Sequence, residues 1–212
     1  MITVSGSNVS LQISESLPDN YKQLTWFYGP DQKIVEQEFG RPPMYFDTSF
    51  KGRVMLHSPS GVLCIFTVRK EDSSTYLLKV LKKTKNEKVW KVPLEVLDPV
   101  PKPQIKIEKT EEIENNCYLK LSCKVLDQSV NYTWYGDSGP FPKGLQNSVL
   151  EITSTKQNYS KFYTCQASNP VSSKNDTLYF TPPCTLARSS GVAWITTWLE
   201  VMVPTVLGIL LI

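Results

Sequence analysis

Five cysteines, one histidine and four N-x-S/T acceptor sites are the residues of this chain whose chemistry can be read first. His57 stands alone among 212 residues, in Arg53-Val-Met-Leu-His-Ser-Pro-Ser-Gly61, with no neighbouring Asp or Cys pattern to orient an imidazole. Nucleophile elbows, P-loops, H-E-x-x-H pairs and dinucleotide fingerprints set reactive groups at spacings their reactions require, and none occurs. No catalysis, cofactor or small-molecule substrate is therefore expected. Of Cys64, Cys117, Cys123, Cys165 and Cys184, four fall in the second half of the chain. Zinc sites favour C-x(2–4)-C pairs, whereas Cys117 and Cys123 have five residues between them. Disulfides, not a metal site, are expected, and disulfides persist in oxidising compartments. Asn8-Val-Ser, Asn131-Tyr-Thr, Asn158-Tyr-Ser and Asn175-Asp-Thr agree, as four glycan acceptor sites of an extracellular protein.

Composition narrows the class further. Lys+Arg 23 against Asp+Glu 20 gives +3, too balanced for a nucleic-acid protein recognised by bulk charge. A secretory chain carries a leader, but Met1-Ile-Thr-Val-Ser-Gly-Ser has neither a basic n-region nor an apolar h-region. The signal peptide is thus expected to be missing from this sequence. At the other end, residues 190–212 turn apolar, with Glu200 near the middle and Pro204 beyond it. An acidic residue costs about 2.5–3.5 kcal/mol at the centre of a spanning helix, and no Lys or Arg follows Arg188 to hold one in place. A glycosylphosphatidylinositol (GPI) signal fits better than a spanning or a buried helix. Ser189-Ser190-Gly191 supplies the small triplet, 192–200 the spacer and 201–212 the uncharged tail.

These residues must be positioned by strands. Short alternating segments separated by turn residues, without a long run of helical period, predict an all-β chain of two tandem sandwiches. Pro-rich residues 98–103 form the joint, giving domains at 1–97 and 98–189, with 190–212 removed as the anchor signal. In the second domain Cys123, Trp134 and Tyr163-Thr-Cys165 have the spacing of an immunoglobulin sandwich, with a sheet-bridging disulfide, an indole against it and a tyrosine corner. A nested Cys117–Cys184 bridge is the simplest assignment of the remaining pair among three connectivities. The first domain repeats the plan without the bridge, as a V-type sandwich followed by a C2-type one. Strand B is expected over residues 9–13 with Ile13 in the cysteine's place, packing on Leu78. Trp26 is the strand C tryptophan, Tyr76-Leu-Leu78 repeats the corner, and Asp72 is expected to pair with Arg53. Cys64 lies between inward Leu63 and Ile65, so it points outward and unpaired, as an incidental thiol in preference to an intermolecular bridge.

A V-type domain without its disulfide, then a C2-type domain with two, resembles the signalling-lymphocytic-activation-molecule (SLAM) family of leukocyte receptors. Val4-Ser-Gly-Ser-Asn8, Tyr21-Lys-Gln-Leu-Thr-Trp-Phe-Tyr28, Val96-Leu-Asp-Pro-Val-Pro-Lys-Pro103 and Pro183-Cys-Thr-Leu-Ala-Arg-Ser189 look most like a GPI-anchored member. Gly29-Pro30 and Arg41-Pro-Pro43 depart from it in exposed loops. The resemblance implies lipid attachment at Ser189 on the outer face of the plasma membrane. It also implies heterophilic binding in trans to the family's natural-killer-cell receptor and to the T-cell adhesion receptor.

The same resemblance implies contact through the C–C′–F–G face of the first domain. Alternation independently turns Thr25, Phe27, Leu77, Lys79 and Leu81 outward if Trp26, Tyr76 and Leu78 point inward. Phe27, Leu77 and Leu81 would then be large apolar groups on a solvated face. Charge is arranged around them. Lys79, Lys82, Lys83, Lys85, Lys88 and Lys91 face one Glu87 on the F–G side, and Asp31, Glu36 and Glu38 face Lys33 on the C–C′ side. Such a surface suits an adhesion or co-stimulatory ligand. A single-pass receptor is the rival the C-terminus argues against. A glycan- or microbe-binding display protein would use Phe27 and Trp90 to stack on sugars, but Trp90 shares parity with Val92, Leu94 and Val96 and is expected in the core.

Overall fold

The computed structural model describes residues 1–186 apart from 19, 20, 59, 115, 127, 128, 156 and 182–184. Apolar residues at alternate positions let one face of each strand enter a core while the other meets water. The first part of the chain folds as β1 (Ile2–Val4), β2 (Val9–Leu11), β3 (Tyr21–Tyr28), β4 (Gln32–Glu38), β5 (Met44–Tyr45), β6 (Val54–His57), β7 (Val62–Ile65), β8 (Ser74–Lys82) and β9 (Glu87–Leu97). The second supplies β10 (Gln104–Ile113), β11 (Asn116–Lys124), β12 (Asn131–Gly136), β13 (Gly139–Pro140), β14 (Val149–Thr155), β15 (Phe162–Asn169), β16 (Ser172–Thr181) and β17 (Thr185–Leu186). The proline-rich stretch between β9 and β10 carries no strand. Two compact units result. One is built on Met1–Pro103 with 125–132 and 166–175, the other on 104–124, 133–165 and the chain from Asp176.

In the first sandwich a six-stranded sheet, ordered β1-β9-β8-β3-β4-β5, faces a three-stranded sheet, β2-β7-β6. This is the V-type plan, with β3, β4, β8 and β9 as strands C, C′, F and G. Leu11, Leu24, Trp26, Ile34, Val35, Leu63, Ile65, Tyr76, Leu78 and Val80 have no exposed surface and form one cluster. The Trp26 indole N–H donates to the Gly61 carbonyl at 2.9 Å, so its one polar atom is satisfied inside. Gly61 holds φ +71°, and a Cβ there would stand 2.7 Å from Leu17, so the β6–β7 turn requires glycine twice over.

The strand B expectation is corrected here. β2 ends at Leu11, and Ile13 packs half-buried on the edge of the core. The β2–β7 register would set residue 13 opposite Gly61, which has already turned away at positive φ and offers no ladder partner. Fully buried Leu11, not Ile13, is the strand's innermost side chain.

The Arg53–Asp72 pair is as expected. Arg53 donates from Nη1 to Oδ2 at 2.8 Å and from Nη2 to Oδ1 at 3.0 Å. Asp72 also accepts the Arg69 N–H at 2.8 Å, and its carbonyl receives the Tyr76 hydroxyl at 2.8 Å. The Asp72 hydrogen bond raises the Arg53 pKa, and burial pushes the Tyr76 phenol up. Cys64 is a free thiol and half-buried.

In the second sandwich β10-β11-β14 faces β13-β12-β15-β16-β17. The Cys123–Cys165 disulfide ties β11 to β15 across the two sheets, with Cα atoms 6.4 Å apart. Trp134 on β12 and Tyr163 on β15 are buried in the same sandwich, and the Trp134 indole donates to the Asn147 carbonyl at 2.9 Å. Cys117 is disulfide-bonded. Its expected partner Cys184 lies outside the described residues, as do Ser189 and the anchor signal 190–212. Among the described residues no helix is long and apolar enough to cross a membrane.

Arg53 answers a carboxylate that is only 3% exposed. Removing one partner of a buried pair leaves an uncompensated charge. Arg53→Ala should therefore destabilise the first sandwich by about 3–5 kcal/mol, read as a shift in the urea midpoint at unchanged slope. A loss below about 1 kcal/mol, the range of exposed pairs, would contradict this assignment.

Candidate partner-binding face

Backbone pairing sets the outward residues of β4, β3, β8 and β9 in three cross-strand rows. Glu38, Gln23, Leu81 and Glu87 form the first; Glu36, Thr25, Lys79 and Val89 the second; Lys33, Phe27, Leu77 and Lys91 the third. The register fixes an electrostatic gradient along the strands. One end carries two carboxylates, the middle a carboxylate and an ammonium, the other end two ammonium groups.

A bulge makes the third row possible. Trp26 pairs with Val35 and Phe27 with Lys33, so Ile34 has no opposite number. The extra residue lets Ile34 and Val35 both enter the core. It also brings Lys33 and Glu36, three apart and on opposite faces of a regular strand, to the same side. Lys33 Nζ then reaches Glu36 Oε2 at 2.6 Å, and the Thr25 hydroxyl donates to the same oxygen at 3.3 Å.

The face is more covered than alternation alone suggests. Thr25 and Phe27 do point outward, but they are only 7% and 9% exposed. Lys79 lays its ammonium 4.6 Å from the centre of the Phe27 ring, shielding the ring while remaining solvated itself. Leu77 and Leu81 are half-buried. The expected exposed apolar patch is thus a shallow groove of about 260 Å³, lined by Gln23, Thr25, Phe27, Lys33, Glu36, Lys79, Leu81 and Glu87. Gln23 and Val89 are the face residues that the charge and aromatic pattern does not single out; their parity with Thr25 and Lys91 places them.

The other expected residues stand around this groove. Asp31 occupies the exposed β3–β4 turn at the basic end. Lys83 and Lys85 lie in the β8–β9 turn at the acidic end, Lys83 over the Phe39 ring at 5.7 Å and Lys85 at φ 68°. The lysine run therefore does not act as one patch. Lys82 shares the inward parity of Leu78 and Val80, and Lys88 pairs with Glu15 above the Trp90 ring. Trp90 packs half-buried against the core, as its parity required. Phe27 is capped by Lys79, and Trp90 carries the Lys88 ammonium 4.7 Å from its ring centre, so neither is the freely exposed ring that a sugar-stacking reading expects. His57 is exposed at the end of β6, with its Nδ1 2.8 Å from the Ser60 hydroxyl. No group of three or more metal-ligating side chains occurs among the described residues.

Sheet order, disulfide and buried tryptophans define a tandem immunoglobulin-domain protein, and the immunoglobulin domain family matches residues 102–169. The fold is shared with murine CEACAM1b at TM-score 0.71 and 22% identity, over 85% of this chain and 94% of that one. The human CD48 antigen is 66% identical over the whole chain and 86% of its own length. SLAM family member 5 of Mus musculus is 29% identical over 85% of the chain and 54% of its own length. The chain belongs to the SLAM family of the immunoglobulin superfamily, alongside the CD48 antigen. It is an immunoglobulin-type leukocyte surface protein of the ligand and receptor class, and its relatives are surface proteins rather than enzymes.

The cap on Phe27 is measurable. Lys79→Ala should cost about 0.5–1 kcal/mol and make the ring more accessible to solvent. Coupling to Phe27→Leu in a double-mutant cycle isolates the contact. Strict additivity of the two losses would show that the ammonium and ring do not interact.

Proposed function

We propose that this protein is a GPI-anchored adhesion and co-stimulatory ligand, displayed on the outer face of the plasma membrane. In this reading it binds SLAM-family receptors of natural killer and T cells in trans through the C–C′–F–G face of its first domain. The observation that carries the reading is the three-row face, whose ends carry opposite charge and whose basic end holds a nearly covered aromatic. Charges in such a layout select partners and speed encounter more than they tighten binding. The prediction is a fast, salt-sensitive interaction, because exposed charges are screened over about 8 Å at physiological ionic strength.

Glycosylation is part of the same reading. Asn8, Asn131, Asn158 and Asn175 are all exposed, and none lies on β3, β4, β8 or β9. Carbohydrate at these sites leaves the docking strands bare. A nested Cys117–Cys184 bridge and a lipid at Ser189 complete the mature protein.

Surface plasmon resonance against a SLAM-family receptor ectodomain tests the face. Lys79→Glu and Glu36→Lys should each weaken binding at least tenfold, about 1.4 kcal/mol, while Met55→Ser on the opposite sheet leaves it unchanged. Equal affinity for all three variants would remove the site. The anchor is tested separately, by treating expressing cells with phosphatidylinositol-specific phospholipase C. Release of the protein is expected, and retention would favour a spanning segment.

A further inference from the structure

Immediately before β2, Asn8 is tied by its own side chain to the segment that follows β7. Its Oδ1 accepts the Thr67 backbone N–H at 3.0 Å. Thr67 holds φ 50°, an uncommon conformation for a β-branched residue, and its carbonyl receives Arg53 Nη1 at 3.4 Å. The bond fixes the orientation of the Asn8 amide and leaves Nδ2, the glycan-accepting nitrogen, as the free end. The β2–β7 ladder ends at Val9–Ile65, and its register extended by one pair would set Asn8 opposite Phe66. Val9 and Ile65 point into the core, so Asn8 and Phe66 share the outer side of that sheet. Phe66 is 38% exposed, a large apolar ring that shares this outer face with Met55, 48% exposed, and with Ser10 and Cys64. Directly opposite side chains in an antiparallel pair lie within about 5 Å at Cβ, close enough for a group attached to one to cover the other.

We propose that Phe66 is the platform for the first N-acetylglucosamine of an Asn8-linked glycan, so that carbohydrate packing supplies part of the cross-strand stability the first domain lacks without a disulfide. The proposal rests on the reading of Asn8 as a glycosylated residue. Attachment joins Asn8 Nδ2 to C1 of the sugar; the C1–oxygen bond to the pyrophosphate of a lipid-linked oligosaccharide donor breaks, and the amide loses one proton. The occupant is identified by position and chemistry. It is the group covalently held across the strand from the ring, and the C–H face of a pyranose matches the negative face of an aromatic. Thr67 keeps the amide from rotating the sugar away.

The test uses the secreted glycosylated protein, with Ser10→Ala to abolish the acceptor site while leaving Asn8 and its bond to Thr67 in place. Ser10→Ala also removes a 3.5 Å Ser10–Cys64 contact, a loss common to both arms of a cycle with Phe66→Ser. Peptide mass spectrometry should find Asn8 occupied. Ser10→Ala should then lower the thermal midpoint of the first domain by about 4 °C when Phe66 is present and by no more than about 1 °C in the Phe66→Ser background. Nuclear magnetic resonance should place the proximal sugar's protons upfield in the parent, a ring-current shift lost with Phe66→Ser. A bare Asn8 would overturn the glycosylation reading and the proposal with it. An occupied Asn8 with equal losses in both backgrounds and no upfield shift would overturn the platform alone.

Discussion

Two-residue alternation on β3 and β8 ties the core of the first domain to its outer face. Trp26, Tyr76 and Leu78 are fully buried, so Thr25, Phe27, Leu77 and Lys79 have nowhere to point but outward. A slip of one residue would expose an indole and bury an ammonium, costs that only one register avoids. Residues of the proposed docking face are therefore placed by core residues that do not belong to it. The Trp26–Gly61 bond and the Asp72 corner then hold the two sheets in place where a disulfide would otherwise do so.

Most of this frame was legible in the chain itself. Cys123, Trp134 and Tyr163-Thr-Cys165 specify the second sandwich because a bridge, an indole and a corner can meet only at that spacing. Trp26, Tyr76 and the Arg53–Asp72 pair specify the first for the same reason. The positions of Thr25, Phe27, Lys79 and Leu81 follow from parity. Side-chain reach does not. Nothing in the order of residues says that Lys79 folds back over Phe27, or that Lys88 leaves the lysine run to meet Glu15. Long flexible side chains choose partners only after the backbone has set them, which is why an expected apolar patch became a capped groove.

Two departures have backbone causes. The bulge at Ile34 puts consecutive apolar residues into the core, a pattern that alternation reads as noise, and so it moves Lys33 onto the side of Glu36. The end of β2 at Leu11 is decided by Gly61, fifty residues away, whose positive φ removes the partner Ile13 would need. Each is a local irregularity with a long-range consequence: one completes the charge gradient of the face, and the other fixes where the smaller sheet stops. The family comparison agrees at the level of fold and class, and the face supplies the physical content that a family name lacks.

The central claim is that docking uses the outward rows of β3, β4, β8 and β9. A nitrogen-15 nuclear magnetic resonance titration with a SLAM-family receptor's V domain tests it most directly. The account predicts shifts concentrated at Gln23, Thr25, Phe27, Lys33, Glu36, Lys79, Leu81 and Glu87. Shifts confined to Ser10, Met55 and Cys64 on the opposite sheet would contradict it.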